Sequence, residues 1–229
     1  VGSEMCIRDR LKADVTYSPA NFGSLVAPGS VILLRNALSV AIHEMRTLKW
    51  LYWGAMSFMT ALSLVTARQA IAVSAYAKRA LTFGLDRLLS KRVAVVHHGV
   101  NPLFCPPDDA AHERGSFLLA VGDLYLQKNF HGLLKVVADL RERFPNLVLK
   151  IAGAPVDPDY ERELRRLVMS YQLEPHVQFL GVVDHLTLRD LYRSCALFVF
   201  PSTVESFGNP IVEAMACGTA IACSKVTLS

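Results

Sequence analysis

Between residues 117 and 223 short apolar runs alternate with stretches of helical periodicity, and few folds accept that alternation. Residues 117–122 (FLLAVG), 147–153 (LVLKIAG), 177–180, 196–201 (ALFVFP) and 219–223 read as buried strands. Strands apolar at nearly every position have both faces covered, as in a parallel sheet flanked by helices. Between them, Leu133, Leu134, Val137, Ala138 and Leu140 mark a helix over 130–144, and Tyr160, Leu164, Leu167, Val168 and Tyr171 mark a second. Residues 187–194 and 210–217 complete the helical set. Strand and helix in turn predict an α/β fold with a doubly wound parallel sheet.

The first half is patchier. Residues 31–34, 70–73 and 92–96 read as strands; the Trp50 region and residues 74–83 read as helices, with Ser74 a suitable N-cap. Residues 50–67 form an uncharged run of 18 between Lys49 and Arg68, near the shortest length that crosses a bilayer. Ser57, Thr60, Ser63 and Thr66 recur every third residue and trace a polar stripe, which favours a packed or membrane-surface helix over a spanning one. Residues 105–115 (CPPDDAAHERG) have linker composition, so the domains are expected at 1–112 and 113–229. The opening decapeptide VGSEMCIRDR shows no periodicity and reads as non-native or as a poorly ordered end. Two complete domains of this kind need about 300 residues or more. The first half carries few strands and no glycine-rich first turn, and the chain stops one strand after its last helix. A fragment truncated at both ends is expected.

With 52% hydrophobic residues in 229, the chain has material for a packed core. A net charge of +4 is too mild to argue for nucleic-acid binding, but suits attraction to a phosphate-bearing ligand or an anionic membrane surface. The five cysteines, Cys6, Cys105, Cys195, Cys217 and Cys223, form no C-x-x-C pair. That argues against a disulfide framework or zinc site and fits a reducing cytosol. Cys195 and Cys217 are expected in the core.

Two segments carry chemistry. In residues 201–218 (PSTVESFGNPIVEAMACG) a strand ends, a polar loop follows, and Asn209 and Pro210 suit the N-cap and first position of a helix. A helix N-terminus at the carboxyl edge of the sheet, with the amides of Phe207, Gly208 and Asn209, favours an anion such as a diphosphate. Gly208 permits close backbone approach. Glu205 and Glu213, eight positions apart, can face one crevice; equally, Glu213 complements the helix dipole and Glu205 is a solvated loop acid. In residues 121–129 (VGDLYLQKN), Lys128 can reach the same crevice as a point charge for phosphate, or is an ordinary lysine at a helix start. Asp157-Pro158-Asp159 has the D-x-D form of some metal sites, but opens a helix, where acids are expected.

Residues 205–218 (ESFGNPIVEAMACG), followed by an apolar strand, resemble the E-x7-E signature of family 4 retaining glycosyltransferases. That resemblance implies the GT-B type fold: two Rossmann-like domains, here an incomplete N-terminal acceptor-side domain and a nearly complete but truncated C-terminal donor domain. It implies that Glu205 contacts the donor sugar hydroxyls and that Glu213 holds the nucleotide ribose. Ser206, Phe207, Gly208 and Asn209 then line the donor. The family commonly shows V-G-R before a Lys-Gly or Lys-Asn pair. Gly122 and Lys128 match it, whereas Asp123 stands where the diphosphate-clamping arginine is usual. The stretch His97, His98, Gly99, Val100 and Asn101, with Phe104 and Pro106, resembles the family's interdomain segment, where His98 is a site candidate or a hinge residue. Gly181 and Val182 fall at the strand end whose loop lies near the nucleotide base. Arg35-Asn36 stands where many relatives carry His-Asp, so Arg35 faces the cleft or caps the strand.

The resemblance implies transfer of a sugar from a nucleotide-diphosphate donor to an acceptor hydroxyl with retention, with Glu205 and Lys128 catalytic. No metal or other cofactor is implied; the nucleotide sugar is a substrate. A lipid-linked or saccharide acceptor in envelope polysaccharide or glycolipid synthesis fits a cytoplasmic protein with a peripheral contact at the inner membrane face. Two alternatives stand: a nucleotide-sugar epimerase or hydrolase of the same fold, and a non-catalytic nucleotide-sugar-binding protein, motivated by Asp123.

Overall fold

A computed structural model of the chain describes residues 13–25, 27, 29–35, 47–109 and 114–225, with backbone alone at 47–50, 52 and 53. The opening decapeptide, Asn36 and residue 112 lie outside the described residues. The described chain falls into two compact units. One ends at His98 and includes Glu205–Phe207; the other comprises Gly99–Val204 and the chain from Gly208. The division falls ahead of the 105–115 segment for a packing reason. Phe104 is buried in the second unit's core, with ring centroids 5.9 Å from Tyr192. Arg193 also donates to the carbonyls of Cys105 and Pro106, at 2.8 and 2.9 Å.

In the first unit, β1 (Thr16–Ser18), β2 (Ser30–Leu34), β3 (Gln69–Ala72) and β4 (Val93–Val95) form a parallel sheet in that order. β1 is short and polar and gave no strand signal. The connecting helices are α1 (Thr47–Thr66) and α2 (Ala75–Leu81). Ser74 caps α2 as expected, its hydroxyl accepting from the Ala77 amide at 2.9 Å. Crossovers of one hand between strands in sequential order fall on one face of a sheet. The core follows: Ile32, Leu34, Ala70, Ala72 and Val93 pack against Leu64, Ala67, Ala77 and Leu81.

The middle of the α1 polar stripe turns inward, while Thr66 at its end is exposed. Thr60 and Ser63 are 0% and 1% exposed, whereas Leu51, Phe58 and Val65 are 66%, 67% and 71% exposed. The hydroxyls tolerate burial because each has a partner. Thr60 Oγ1 donates to the Met56 carbonyl at 2.8 Å, and Ser63 Oγ accepts from the Gly23 amide at 3.2 Å. No helix among the described residues is long and apolar enough to cross a membrane.

The second unit alternates β5 (Phe117–Val121), α3 (Phe130–Leu140), β6 (Val148–Ala152), α4 (Pro158–Ser170), β7 (Val177–Gly181), α5 (His185–Ser194), β8 (Leu197–Phe200), α6 (Asn209–Ala216) and β9 (Ile221–Cys223). All its strand pairs are parallel, in the order β7-β6-β5-β8-β9. This is the doubly wound α/β sheet that the alternation predicts. Alternate residues of β5 serve opposite layers. Ala120 joins the core under α3 and α4, while Leu119 joins Tyr192, Phe198 and Ala214 on the other face. Cys195 and Cys217 are fully buried there, and burial pushes the Cys195 thiol up to about 11. Asp157 caps α4, its carboxylate accepting from the amides of Asp159 and Tyr160 at 3.1 and 3.3 Å.

The start of α6 corrects the expected capping. Gly208 is the cap, in a left-handed conformation (φ 86°, ψ 52°), and Asn209 is already the first helical residue. The chain turns from the loop into the helix at a positive φ, which glycine supplies without a Cβ penalty.

Candidate functional site

The strand order of the second unit places a switch point between β5 and β8. From β5 the chain winds outward through β6 and β7, then returns to β8 on the other side. At such a point the loops at the carboxyl ends diverge and leave a crevice where α/β sheets take ligands. The two chemistry-bearing segments are the loops on its two sides, β5–α3 and β8–α6.

They are laced together. After Gly122 the chain makes one 3-10 turn, Leu126–Lys128, and ends it on Asn129 in the left-handed region (φ 55°, ψ 33°), which asparagine tolerates better than most residues. Asn129 Nδ2 donates to the Pro201 carbonyl at 3.1 Å. The Thr203 amide and hydroxyl both donate to the Gln127 carbonyl, at 2.8 and 3.2 Å. Gly132 leaves room for the Asn129 amide, since a Cβ there would stand 2.6 Å from its Oδ1. Lys128 is thus held between two turns that are bonded to each other. Its stem lies across Gly122, where a Cβ would meet Lys128 Cε at 3.0 Å, and its Nζ sits 5.5 Å from the Phe200 ring centroid.

Asp123 has a structural partner. Its Oδ1 accepts from the Ala154 amide at 3.0 Å, and the Leu124 amide donates to the Ala154 carbonyl at 2.8 Å. The carboxylate ties the β5 loop to the β6 loop, at a position where a guanidinium could not accept from the Ala154 amide.

Glu213 lies in the second turn of α6, half-buried. The phenol of Tyr192 donates to its Oε2 at 3.1 Å. Burial pushes the Glu213 carboxyl above its ordinary value, while the Tyr192 hydrogen bond and the charge of His185 act the other way. Tyr192 is itself fully buried and its phenol lies far above the usual tyrosine range, first from burial and then from the Glu213 charge.

The remaining candidates lie elsewhere. Glu205, Ser206 and Phe207 group with the first unit. There Phe207 packs against that core, and its ring lies 5.1 Å from His98 and 5.9 Å from His97, while Ser74 donates to the Ser206 carbonyl. Gly181 ends β7, two strands from β5 in the sheet, and Val182 follows it, 77% exposed. Arg35 follows β2 in the first unit, exposed, its amide donating to Asn21 Oδ1 at 2.9 Å. Sequence reasoning missed Tyr192, Asn129 and Gly153. Only Asn129 left a local signal, as an asparagine between a turn and a helix. Tyr192 looks like any apolar helix position, and Gly153 like any glycine after a strand.

The family profile described as Glycosyl transferases group 1 matches residues 106–228. O-antigen chain mannosyltransferase B of Escherichia coli is 29% identical over 177 residues, 72% of this chain and 45% of that protein. O-antigen chain mannosyltransferase RfbU of Salmonella typhimurium is 27% identical over 203 residues, 86% of this chain and 54% of that protein. The chain therefore spans about half the length of these curated relatives. Among solved structures, Anabaena HepE in complex with UDP-glucose matches with a TM-score of 0.79 at 21% identity, over 98% of this chain and 63% of that one. The fold is that of the GT-B glycosyltransferases.

Proposed function

The chain belongs to the glycosyl transferases group 1 family, and from that membership we propose that it moves a sugar from a nucleotide-diphosphate donor to an acceptor hydroxyl. The observation that carries the reading is the lacing at the switch point. Lys128 and the N-terminal end of α6 belong to two loops joined by the Asn129–Pro201 and Thr203–Gln127 hydrogen bonds. A cation and helix amides converging on one crevice suit a diphosphate leaving group. In this reading Lys128 and the amides at Gly208 and Asn209 stabilise the departing diphosphate, Glu213 holds the ribose, and Glu205 orients the donor sugar. Catalysis rests on positioning and on charge stabilisation in a dry site. Retention of anomeric configuration, a hexose donor and independence from metal belong to the same proposal.

The relatives' names point to envelope polysaccharide as the product class, hence to a saccharide or lipid-linked acceptor at the cytosolic membrane face. The outward Leu51, Phe58 and Val65 of α1 are suited to a peripheral membrane contact. A second reading, a nucleotide-sugar binder without transfer, is favoured by Asp123, whose carboxylate serves the Ala154 amide where a diphosphate-clamping arginine is usual.

Calorimetric titration with UDP-glucose, GDP-mannose and UDP-N-acetylglucosamine tests the site. One donor binds, and Glu205→Ala and Glu213→Ala each weaken it about tenfold or more, as expected for lost hydrogen bonds to a charged group. Unchanged binding in both variants sinks the assignment. Binding without transfer or hydrolysis selects the second reading, and an epimerised donor among the products selects an epimerase.

A further inference from the structure

Glu213 does not stand alone on its helix. The phenol of Tyr192, 21 residues earlier, donates to Oε2 at 3.1 Å and leaves Oε1 for another donor. Tyr192 is held from several sides. Its ring packs edge-on against Phe198 and Phe104, at 5.3 and 5.9 Å between centroids. Its carbonyl accepts from Thr219 Oγ1 at 2.6 Å and from Arg114 at 3.3 Å. A side chain so fixed cannot follow a moving carboxylate, so the carboxylate follows it.

We propose that Tyr192 is a positioning residue: its phenol O–H, donated to Glu213 Oε2, sets the orientation in which Glu213 receives the ribose hydroxyls of a nucleotide donor. The proposal rests on the reading of Glu213 as the ribose carboxylate. Two neighbouring hydroxyls on a five-membered ring bind well to a carboxylate whose plane is already set, because no side-chain rotamer is then frozen on binding. The buried phenol keeps its proton and acts as a permanent donor. The titratable groups coupled to the carboxylate are Tyr192 and His185 on α5 and Cys217 just after α6. Without the phenol the carboxyl, already raised by burial, accepts a proton at higher pH still.

The test uses the whole chain and whichever of UDP-glucose, GDP-mannose or UDP-N-acetylglucosamine it binds. Tyr192→Phe keeps the ring packing. Its affinity is expected to fall about tenfold near pH 8, and the deficit to widen as the pH is stepped down. In a double-mutant cycle, Tyr192→Phe added to Glu213→Ala is expected to cause no further loss, because the phenol acts through that carboxylate. Affinity within about twofold of wild type at every pH overturns the proposal. So does a deficit that simply adds to that of Glu213→Ala, which would mark Tyr192 as structural. In both cases loss of binding in Glu213→Ala alone leaves the donor-site reading standing, and a wild type that binds none of the three donors removes both.

Discussion

Gly153→Ala is the most demanding substitution near the crevice. Gly153 follows β6, and a Cβ there would lie 2.0 Å from the Gly122 carbonyl oxygen, 2.4 Å from its carbon and 2.9 Å from the Asp123 amide nitrogen. All three are backbone atoms, so no flexible side chain can yield. Restoring ordinary contact requires the ends of β5 and β6 to separate by about 1.5 Å. That separation opposes the Gly122 amide to Ala152 carbonyl bond at 2.9 Å and the Leu124 to Ala154 bond at 2.8 Å. Overpacking costs about 1–3 kcal/mol, a side chain at φ 157° about 1–3 kcal/mol, and a lost hydrogen bond about 1 kcal/mol. Together these reach about 3–7 kcal/mol, a large part of a domain's usual 5–15. The thermal midpoint of the second unit should fall by about 10 °C or more. Donor affinity should fall with it, because Gly122 carries the Lys128 turn. Scanning calorimetry paired with donor titration measures both. Gly54→Ala is the control: a Cβ on that exposed α1 position meets nothing within 4 Å, and the change should stabilise by about 0.5–1 kcal/mol. A Gly153→Ala midpoint within about 2 °C of wild type, with unchanged binding, would refute the steric reasoning.

Lys128→Ala should weaken donor binding about tenfold to a hundredfold, with a deficit that shrinks as salt screens the lost charge; titrations at two ionic strengths check this, and equal affinities would remove Lys128 from the site. Glu213→Gln should bind donor poorly yet raise the thermal midpoint near neutral pH. The folded-state pKa of Glu213 is raised above the ordinary 4.5, so its contribution to stability is present at low pH and lost as pH rises through that raised value. The midpoint gain of the Gln variant should therefore fade as pH drops toward 4.5, and a gain independent of pH would contradict the assignment. Arg114→Ala removes a guanidinium that donates to the carbonyls of Tyr192, Arg193, Cys195 and Gly218, at 3.3, 3.1, 3.3 and 2.7 Å. Loss of that clasp at the ends of α5 and α6 should cost about 1–2 kcal/mol in denaturant unfolding, and an unchanged midpoint would count against it.

Much of the second unit was legible in consecutive residues. Apolar runs such as FLLAVG and the three-and-four spacing of Leu133, Leu134 and Val137 record which faces are covered, and that record is local. The Ser74 cap and the burial of Cys195 and Cys217 were legible for the same reason. The capping residue of α6 was misplaced by one position, because both Gly208 and Asn209 are good caps and only the backbone path chooses between them. The inward turn of Thr60 and Ser63 could not be read either, since a periodic stripe shows that a helix has two faces but not which one a neighbour covers.

The amino-acid sequence by itself determined the α/β class, the alternation of elements in the second unit and the two segments proposed to hold a nucleotide diphosphate, because periodicity and turn chemistry act over a few residues. Strand order was decided only by the tertiary structure: parallel strands joined by crossovers can be laid down on either side, and nothing local marks the return to β8. That choice brings Gln127 to Thr203 across 76 residues and sets Asn129 beside Pro201. It also packs α5 against α6 so that Tyr192 meets Glu213. Such contacts join residues far apart in the chain, and the packing of the whole sheet, rather than any short stretch of sequence, selects them.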